Sequence, residues 1–242
     1  MKQHNIEILR RDELTEGGFA GLREHRLVTG KKLWGDRANP QAWDGIGNFV
    51  YLADARFNPN GETTMHSHRE IDVISVMVEG RIAHQGSLEH GGSLDINDAQ
   101  VQRAGGEGFS HNEVNPDDAK NRMLQLWVMP EVNGEPAGYK KFRPKWGETT
   151  RIYGGKPTET PSFAAQTTID VAMLTTGQSF ELSAPYLAYV SKGDGLLDDM
   201  NLTNGDLIRG ADSTFKAKTD VQLIVIGTLA SPYQPKKGTY NV

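Results

Sequence analysis

The sequence predicts an all-β protein built of many short strands. Of its 242 residues, 27 are Gly and 11 are Pro, and 37% are hydrophobic. This composition suits short strands joined by turns better than a bundle of helices. Apolar segments recur at regular spacing with turn residues between them, which is typical of a barrel or a sandwich. The length fits one large β domain or two small ones.

The predicted strands fall into two groups along the chain. In the first group, residues 48–57 (NFVYLADARF) precede a turn, and a second strand begins at His66 and continues to 78. Two further segments, 101–113 and 123–129, complete this group. The pattern resumes in the second half of the chain at 169–174, 187–190 and 221–226.

The composition changes between the two groups of strands. Residues 130–161 are rich in Gly, Pro, Lys and Thr, which indicates a crossing between domains. We therefore expect an N-terminal domain over 1–133, a linker over 134–162 and a C-terminal domain over 163–242.

Charge and cysteine content exclude several classes of function. The formal net charge is -5, and the Lys and Arg residues are scattered, so the sequence has no electrostatic footprint for direct binding of nucleic acid. The absence of Cys excludes disulfides, zinc–thiolate sites and a cysteine nucleophile. His, Asp and Glu are left as the strong metal ligands.

Targeting signals are not evident in the sequence. Residues 1–11 (MKQHNIEILRR) lack the apolar stretch of a signal peptide, and no segment approaches the length of a membrane span. The simplest expectation is a cytoplasmic protein that does not contact a membrane.

A pair of histidines stands one residue apart in the segment MHSHREIDVISVMVEG (65–80). Side chains alternate along an extended strand, so His66 and His68 point to the same side, about 7 Å apart at the backbone. Such a pair can bind one ion, but it fits the solvated end of a surface strand equally well. Further ligands are needed before the pair indicates a metal site.

The second alternating pair, His111 and Glu113, supplies those ligands. If its strand neighbours the first pair in a barrel, three imidazoles and one carboxylate face a common point. Such a set holds Fe(II), Ni(II), Mn(II), Co(II) or Zn(II) and leaves positions open for water or substrate. We predict a metal site at His66, His68, His111 and Glu113. The alternative is a group of buried or solvated polar residues without a metal.

Other polar residues near these pairs have two interpretations each. If the strand is regular, Asp72 shares a face with the histidine pair, where it would accept a hydrogen bond from an imidazole; otherwise it is a solvent-facing acid. Gln125 and Trp127 alternate on one face, and they either line a cavity or belong to the core. His84 and His90 flank a Gly-rich turn and are expected to be solvated.

The two halves of the chain show a short internal similarity. Residues 103–111 (RAGGEGFSH) and 209–217 (RGADSTFKA) both have Arg and Phe six positions apart, and in this register His111 aligns with Ala217. The second half is therefore predicted to repeat the architecture without the polar site.

A separate count, backwards from the glycines at 80 and 193, aligns the first histidine pair with Ser179 and Glu181. All seven histidines lie at or before His111, so any imidazole site belongs to the first half.

Four segments resemble the pirin family of bicupins: HSHREIDVISVMVEG, AHQGS, AGGEGFSHNEVNP and QLWVMPEVNG. The resemblance covers roughly residues 48–134, and the segments at 33–36 and 69–72 depart from the family pattern. It implies a bicupin with two β-barrel (jelly-roll) domains, of which the first binds one metal, usually iron, and the second is degenerate. It also implies His66, His68, His111 and Glu113 as the ligands.

The resemblance implies an activity as well, because some pirins oxidise the flavonol quercetin with dioxygen. Our hypothesis is a quercetin 2,3-dioxygenase-like oxidoreductase that binds Fe(II) and takes a small phenolic substrate and dioxygen, with Glu113 as general base. One alternative is a non-enzymatic, metal- or redox-responsive binding protein with a protein partner. Another is a different cupin reaction in which the metal acts only as a Lewis acid.

Overall fold

The computed structural model describes residues 6–88 and 92–231. Almost all of its regular structure is strand, and within these residues no helix has the length and apolar composition needed to cross a membrane. The cytoplasmic location expected from the sequence stays a prediction. The helical elements are α1 (Lys31–Trp34) and two 3-10 turns, at Arg11–Glu13 and Gly35–Arg37.

The first twelve strands lie before residue 143. They are β1 (Glu7–Arg10), β2 (Gly17–Phe19), β3 (Leu22–Thr29), β4 (Phe49–Phe57), β5 (His66–His68), β6 (Asp72–Glu79), β7 (Ile82–Gly86), β8 (Ser93–Leu94), β9 (Ala99–Arg103), β10 (Phe109–Val114), β11 (Arg122–Val128) and β12 (Gly138–Phe142).

The remaining strands follow after a turn. They are β13 (Thr149–Gly155), β14 (Ala165–Leu174), β15 (Ser179–Leu182), β16 (Tyr186–Lys192), β17 (Gly195–Leu197), β18 (Met200–Leu202), β19 (Asp206–Arg209), β20 (Ser213–Ala217) and β21 (Val221–Thr228).

Two units with the same topology are formed by these strands. The first unit has a seven-stranded sheet, β12-β9-β6-β11-β4-β3-β2, and a four-stranded sheet, β5-β10-β7-β8. The second unit has a six-stranded sheet, β1-β19-β16-β21-β14-β13, and a four-stranded sheet, β15-β20-β17-β18. Strands β9, β6, β11, β4 and β3 thus correspond to β19, β16, β21, β14 and β13. The predicted all-β bicupin architecture is confirmed.

The edge strands β1 and β12 show which residues of the predicted domains belong to each unit. The N-terminal strand β1 pairs with β19 of the second unit, whereas β12 pairs with β9 of the first. Strands β12 and β13 both include residues of the predicted linker, 134–162. The predicted boundaries stay predictions, but this segment is largely paired in sheets.

The largest apolar core lies between the two large sheets. On β6, Ile74 and Val76 point away from the interior of the first unit, and on β21, Ile224 and Ile226 meet them from the second unit. Because strand side chains alternate, the other face of each large sheet points into its own unit. The large sheet of the first unit is therefore buried on both faces, and only its inner face is free to form a site.

A buried carboxylate interrupts this apolar layer at Asp54. Arg122 donates from Nε to Asp54 Oδ1 at 2.8 Å, and the Tyr189 hydroxyl of the second unit donates to Oδ2. Burial by itself raises the pKa of Asp54, but the hydrogen bonds and charge of Arg122 outweigh it and lower the pKa below its ordinary value. The charged carboxylate thus ties the two units together.

Asp72 makes the second such contact, and both predicted roles for it were wrong. The segment 66–78 is two strands in different sheets, because the chain turns at Glu70, which has a φ of 53°. Asp72 therefore points between the units, where it is fully buried and accepts hydrogen bonds from Arg103 Nη2 at 3.0 Å and the Tyr153 hydroxyl at 2.7 Å. It neither holds an imidazole nor faces solvent.

We expect Tyr153→Phe to lower the free energy of unfolding by about 2 kcal/mol, because it removes a hydrogen bond to a buried carboxylate. Tyr186→Phe is the matched control: its buried hydroxyl contacts the neutral Ser213 hydroxyl at 2.8 Å, so its loss should cost about 1 kcal/mol. Urea denaturation of both variants measures the difference. Equal losses would contradict a charged contact between the units.

Candidate metal centre

Strand pairing brings three histidines to one point. Strands β5 and β10 are antiparallel neighbours, which meets the condition on which the predicted site depended, with His66 directly opposite His111 and His68 opposite Phe109. The Nε2 atom of His111 lies 3.0 Å from that of His66 and 3.2 Å from that of His68. All three residues offer a ligand atom within 4.8 Å of the others. Of the four residues in the two pairs identified in the sequence, the three histidines therefore converge on one point.

Hydrogen bonds to the other ring nitrogens orient two of these imidazoles. His66 Nδ1 donates to the Thr64 carbonyl at 2.9 Å, which leaves the Nε2 lone pair free. Thr64 has a φ of 67°, an unusual backbone conformation for a β-branched residue. His111 Nδ1 lies 3.3 Å from Nε2 of His84. The strained turn and the buried His84 both aim nitrogen lone pairs at the common point.

Burial keeps the rings of His68 and His111 neutral. Desolvation by burial lowers the pKa of His68 to about 4, and the neighbouring His66 contributes to this shift. Desolvation also lowers the pKa of His111 to about 2, with contributions from His66, His68 and His84. Metal ions bind the neutral form of imidazole. His68 and His111 are therefore in the protonation state that a metal site requires.

The spacing of the nitrogens fits a single transition-metal ion. Nitrogen atoms about 2.1 Å from one ion and at right angles to one another are about 3.0 Å apart. The separations of 3.0 and 3.2 Å between the Nε2 atoms match this arrangement. The donor set thus fits an ion with further coordination positions open.

Glu113 lies next to the three histidines but is not in the 4.8 Å group found among the described residues. It follows His111 on the same face of β10, and its Oε1 accepts a hydrogen bond from the Ser75 hydroxyl at 3.0 Å. Burial raises the pKa of Glu113 to about 7. The structure therefore gives this carboxylate a proton-accepting position in the cavity, and its role as a ligand stays a prediction.

His84 is buried, with 2% of its surface exposed, so the expectation that it is solvated was wrong. Its strand β7 pairs with β10 and points the ring inward, where Nε2 also lies 3.0 Å from Gln102 Nε2. His90 lies outside the described residues. This inward orientation was missed because the turn beyond β7 is rich in polar residues and Gly.

Polar side chains that the sequence analysis missed lie behind the histidines. Gln100 Nε2 is 3.4 Å from both Ser75 Oγ and Gln102 Oε1, and Ser75 donates to Glu113. All are buried. The alternation in AQVQR (99–103) was the available signal, because Gln100 and Gln102 share the face opposite to Val101. This layer fixes the positions of Glu113 and His84.

A cavity of about 260 Å³ opens beside the histidines. Gln125 and Trp127 line it, so the first interpretation of these two residues is confirmed. Trp34, from the segment 33–36, stacks on Trp127 with ring centroids 5.7 Å apart and on Tyr51 at 5.3 Å. Trp127 in turn contacts the ring of His68 at 5.6 Å. One wall of the cavity is therefore aromatic and leads to the candidate metal centre.

The second unit lacks these groups at the equivalent positions. Phe109 of the first unit corresponds to Phe215 of the second. Phe109 pairs with His68 on β5, and Phe215 pairs with Phe180 on β15, so Phe180 occupies the position equivalent to His68. The alignment of the first histidine pair with Ser179 and Glu181 was wrong by one residue. A one-residue shift exchanges the two faces of a strand, so inward and outward side chains were confused. The interior of this unit is apolar.

Comparison with known sequences gives a consistent picture. Residues 35–128 match the family model described as Pirin. The chain is 26% identical to a putative quercetin 2,3-dioxygenase of Zymomonas mobilis, over 72% of this chain and 80% of that protein. It is 35% identical to a putative quercetin 2,3-dioxygenase of Pseudomonas aeruginosa and 30% identical to a quercetin 2,3-dioxygenase of Escherichia coli K12, in each case over only about a third of either protein.

Solved structures with the same fold cover nearly the whole chain. A bacterial pirin from Escherichia coli in complex with nickel(II) has a TM-score of 0.77 at 17% identity, covering 91% of this chain and 97% of that one. A quercetin 2,3-dioxygenase from Acinetobacter baumannii has a TM-score of 0.66, also at 17% identity, covering 95% of this chain and 89% of that one. At these identities the likeness shows the bicupin fold.

We expect His84→Ala to weaken metal binding about tenfold or more, because His111 loses the contact at Nδ1 that orients its ring. His84→Gln keeps a hydrogen-bonding group and should restore part of the affinity. His25→Ala, on β3, is the control and should bind metal as the wild type does. Titration of the metal-free protein with Ni(II) or Zn(II) against a competing chelator measures the affinities; an unchanged constant in His84→Ala would contradict this role.

Proposed function

We propose that this chain is a member of the pirin family and, on that premise, a metal-dependent dioxygenase able to oxidise a flavonol such as quercetin. The observation that carries the proposal is the convergence of three imidazoles beside a cavity that has an aromatic wall. The names of the relatives, several of them quercetin 2,3-dioxygenases, support the same reaction class. The substrates would be a small phenol and dioxygen.

In this proposal, His66, His68 and His111 hold one divalent ion and Glu113 is the fourth ligand. We propose Fe(II) as the native metal, while Ni, Mn, Co and Zn are accepted by the same nitrogen and oxygen donors. When bound, such an ion supplies a Lewis acid for a phenol oxygen and a redox centre for reaction with dioxygen. Ser75 then determines where the Glu113 carboxylate lies.

The protein's own groups bind and deprotonate the substrate. The stacked rings of Trp34, Tyr51 and Trp127 offer a flat wall against which a phenol lies, and they exclude water from the reacting edge. Glu113, in the state in which it is not bound to the ion, accepts the hydroxyl proton of the substrate at a carboxylate oxygen. Burial raises the pKa of this unbound carboxyl to about 7, which suits proton transfer near neutral pH.

The first test is the metal content of protein purified without chelators, measured by elemental mass spectrometry. We expect about one transition-metal ion per chain in the wild type and a loss of most of it in His68→Ala, because one of three nitrogen donors is removed. His25→Ala should keep the metal. A wild type that stays metal-free even after reconstitution would contradict the metal centre and leave a metal-free binding protein.

The second test separates the role of Glu113 from metal binding. Glu113→Gln keeps the size of the side chain but cannot accept the proton, so turnover should fall at least 100-fold while most of the metal remains. Oxygen uptake with quercetin by iron-reconstituted protein measures turnover. An unchanged rate would exclude Glu113 as the base. Product formation with Zn(II) and without oxygen would instead indicate a Lewis-acid cupin reaction.

A further inference from the structure

The cavity has a second polar end, away from the histidines, and we propose that it recognises a second hydroxyl group on the phenolic substrate. This subsite consists of Glu24, Arg26 and Tyr51, and we call it the hydroxyl subsite. The inference rests on the proposed function, because it assumes that the first phenol oxygen lies at the histidines. It goes further in specifying a substrate with hydroxyl groups at both ends of a flat ring system.

Glu24 is a buried acid in the wall of the cavity, beside its aromatic residues. It is 3% exposed and lines the cavity together with Arg26 and Tyr51. Its Oε1 accepts a hydrogen bond from Arg26 Nε at 2.8 Å and forms an ion pair with Arg26 Nη2 at 2.7 Å, and its Oε2 accepts from the Tyr51 hydroxyl at 2.8 Å. These hydrogen bonds use two of about four acceptor positions of the carboxylate, so acceptor positions remain for a ligand.

Arg26 supplies the matching donors. Its side chain is 44% exposed even though its partner Glu24 is buried, and it lines the cavity. Ala53 and Ala55 stand opposite Arg26 and Glu24 in the neighbouring strand β4. These small side chains leave space beside the ion pair. A ligand that enters the cavity therefore meets a carboxylate acceptor and a guanidinium donor side by side.

The charges of this subsite select the kind of group that it binds. Glu24 and Arg26 neutralise one another, so the subsite has no net charge to attract an ion. A ligand carboxylate at this point would approach Glu24 and be repelled by it. A hydroxyl group can donate to Glu24 and accept from Arg26 at the same time. The pair therefore favours a neutral hydroxyl over an anionic group.

Ring contacts connect the hydroxyl subsite with the candidate metal centre. The ring centroid of Trp127 lies 5.6 Å from that of His68 and 4.5 Å from that of Tyr51. The hydroxyl group of the same Tyr51 binds Glu24. A flat ligand that stacks along this wall thus spans from the histidines to Glu24.

The test compares the binding of matched flavonols to the full-length protein, metal-free and zinc-loaded, by isothermal titration calorimetry. The probes are 3-hydroxyflavone, its derivatives with one additional hydroxyl on the outer phenyl ring or on the fused ring, and the derivative with a carboxylate at the better of these two positions. We expect one hydroxyl derivative to bind about tenfold more tightly than 3-hydroxyflavone and the carboxylate derivative to bind no more tightly than 3-hydroxyflavone.

Three variants assign this preference to the subsite. Arg26→Met should abolish the hydroxyl preference, and Tyr51→Phe should reduce it by several-fold while keeping the aromatic wall. Glu24→Gln leaves Arg26 with an unpaired charge, so the preference should shift towards the carboxylate derivative. Arg23→Met, an exposed position on the same strand, is the control and should keep the wild-type preference.

The outcomes distinguish this inference from the proposed function. Equal binding of all probes to the wild type, or a hydroxyl preference that survives in Arg26→Met, would overturn the hydroxyl subsite even if oxygen uptake is observed. A hydroxyl preference that depends on Arg26, with no oxygen uptake by iron-loaded protein, would support the subsite and refute the dioxygenase. If no flavonol binds, both proposals fail.

Discussion

The contact between the two large sheets is the constraint on which the rest of the molecule depends. Its apolar layer covers the outer face of the first unit's seven-stranded sheet, so alternation along each strand directs the remaining side chains into the cavity. Asp54 and Asp72 are charged residues within this contact. Each is held by an arginine from its own unit and by a tyrosine, Tyr189 or Tyr153, from the other. The buried apolar area therefore holds the two units together, and the hydrogen bonds to Asp54 and Asp72 fix their relative position.

Within the first unit, the candidate site lies between two sheets that contribute different kinds of residues to it. The four-stranded sheet carries the histidines. The seven-stranded sheet carries Tyr51 and Trp127 of the aromatic wall and the polar residues that lie behind the histidines. The chain crosses from one sheet to the other at Glu70. A metal ligand and a substrate-binding residue are thus close in space because the sheets face each other. Burial lowers the pKa of His68 and His111 and raises the pKa of Glu113.

The second unit shows that the fold does not need the site. Its strands pair in the same order, but Phe180, Phe215 and Ala217 fill the region equivalent to the histidines with apolar side chains. The likeness extends to the ends of two equivalent strands, where Arg103 lies over the ring of Phe163 and Arg209 over that of Trp43. Architecture and chemistry are therefore separable: sheet contacts maintain the first, and a few inward-facing positions determine the second.

The sequence by itself determined the β class, the two repeated halves and the pairs of ligand-type residues, because alternation and turn residues are local properties of the chain. It placed His66 and His68 on one face correctly since they belong to one short strand. It failed for Asp72, beyond the turn at Glu70, and for His84, whose burial depends on the strand beside it. Only the tertiary structure decided which faces point inward and brought Glu24 to the same cavity as the histidines, because residues distant in the chain become neighbours only when the sheets pack.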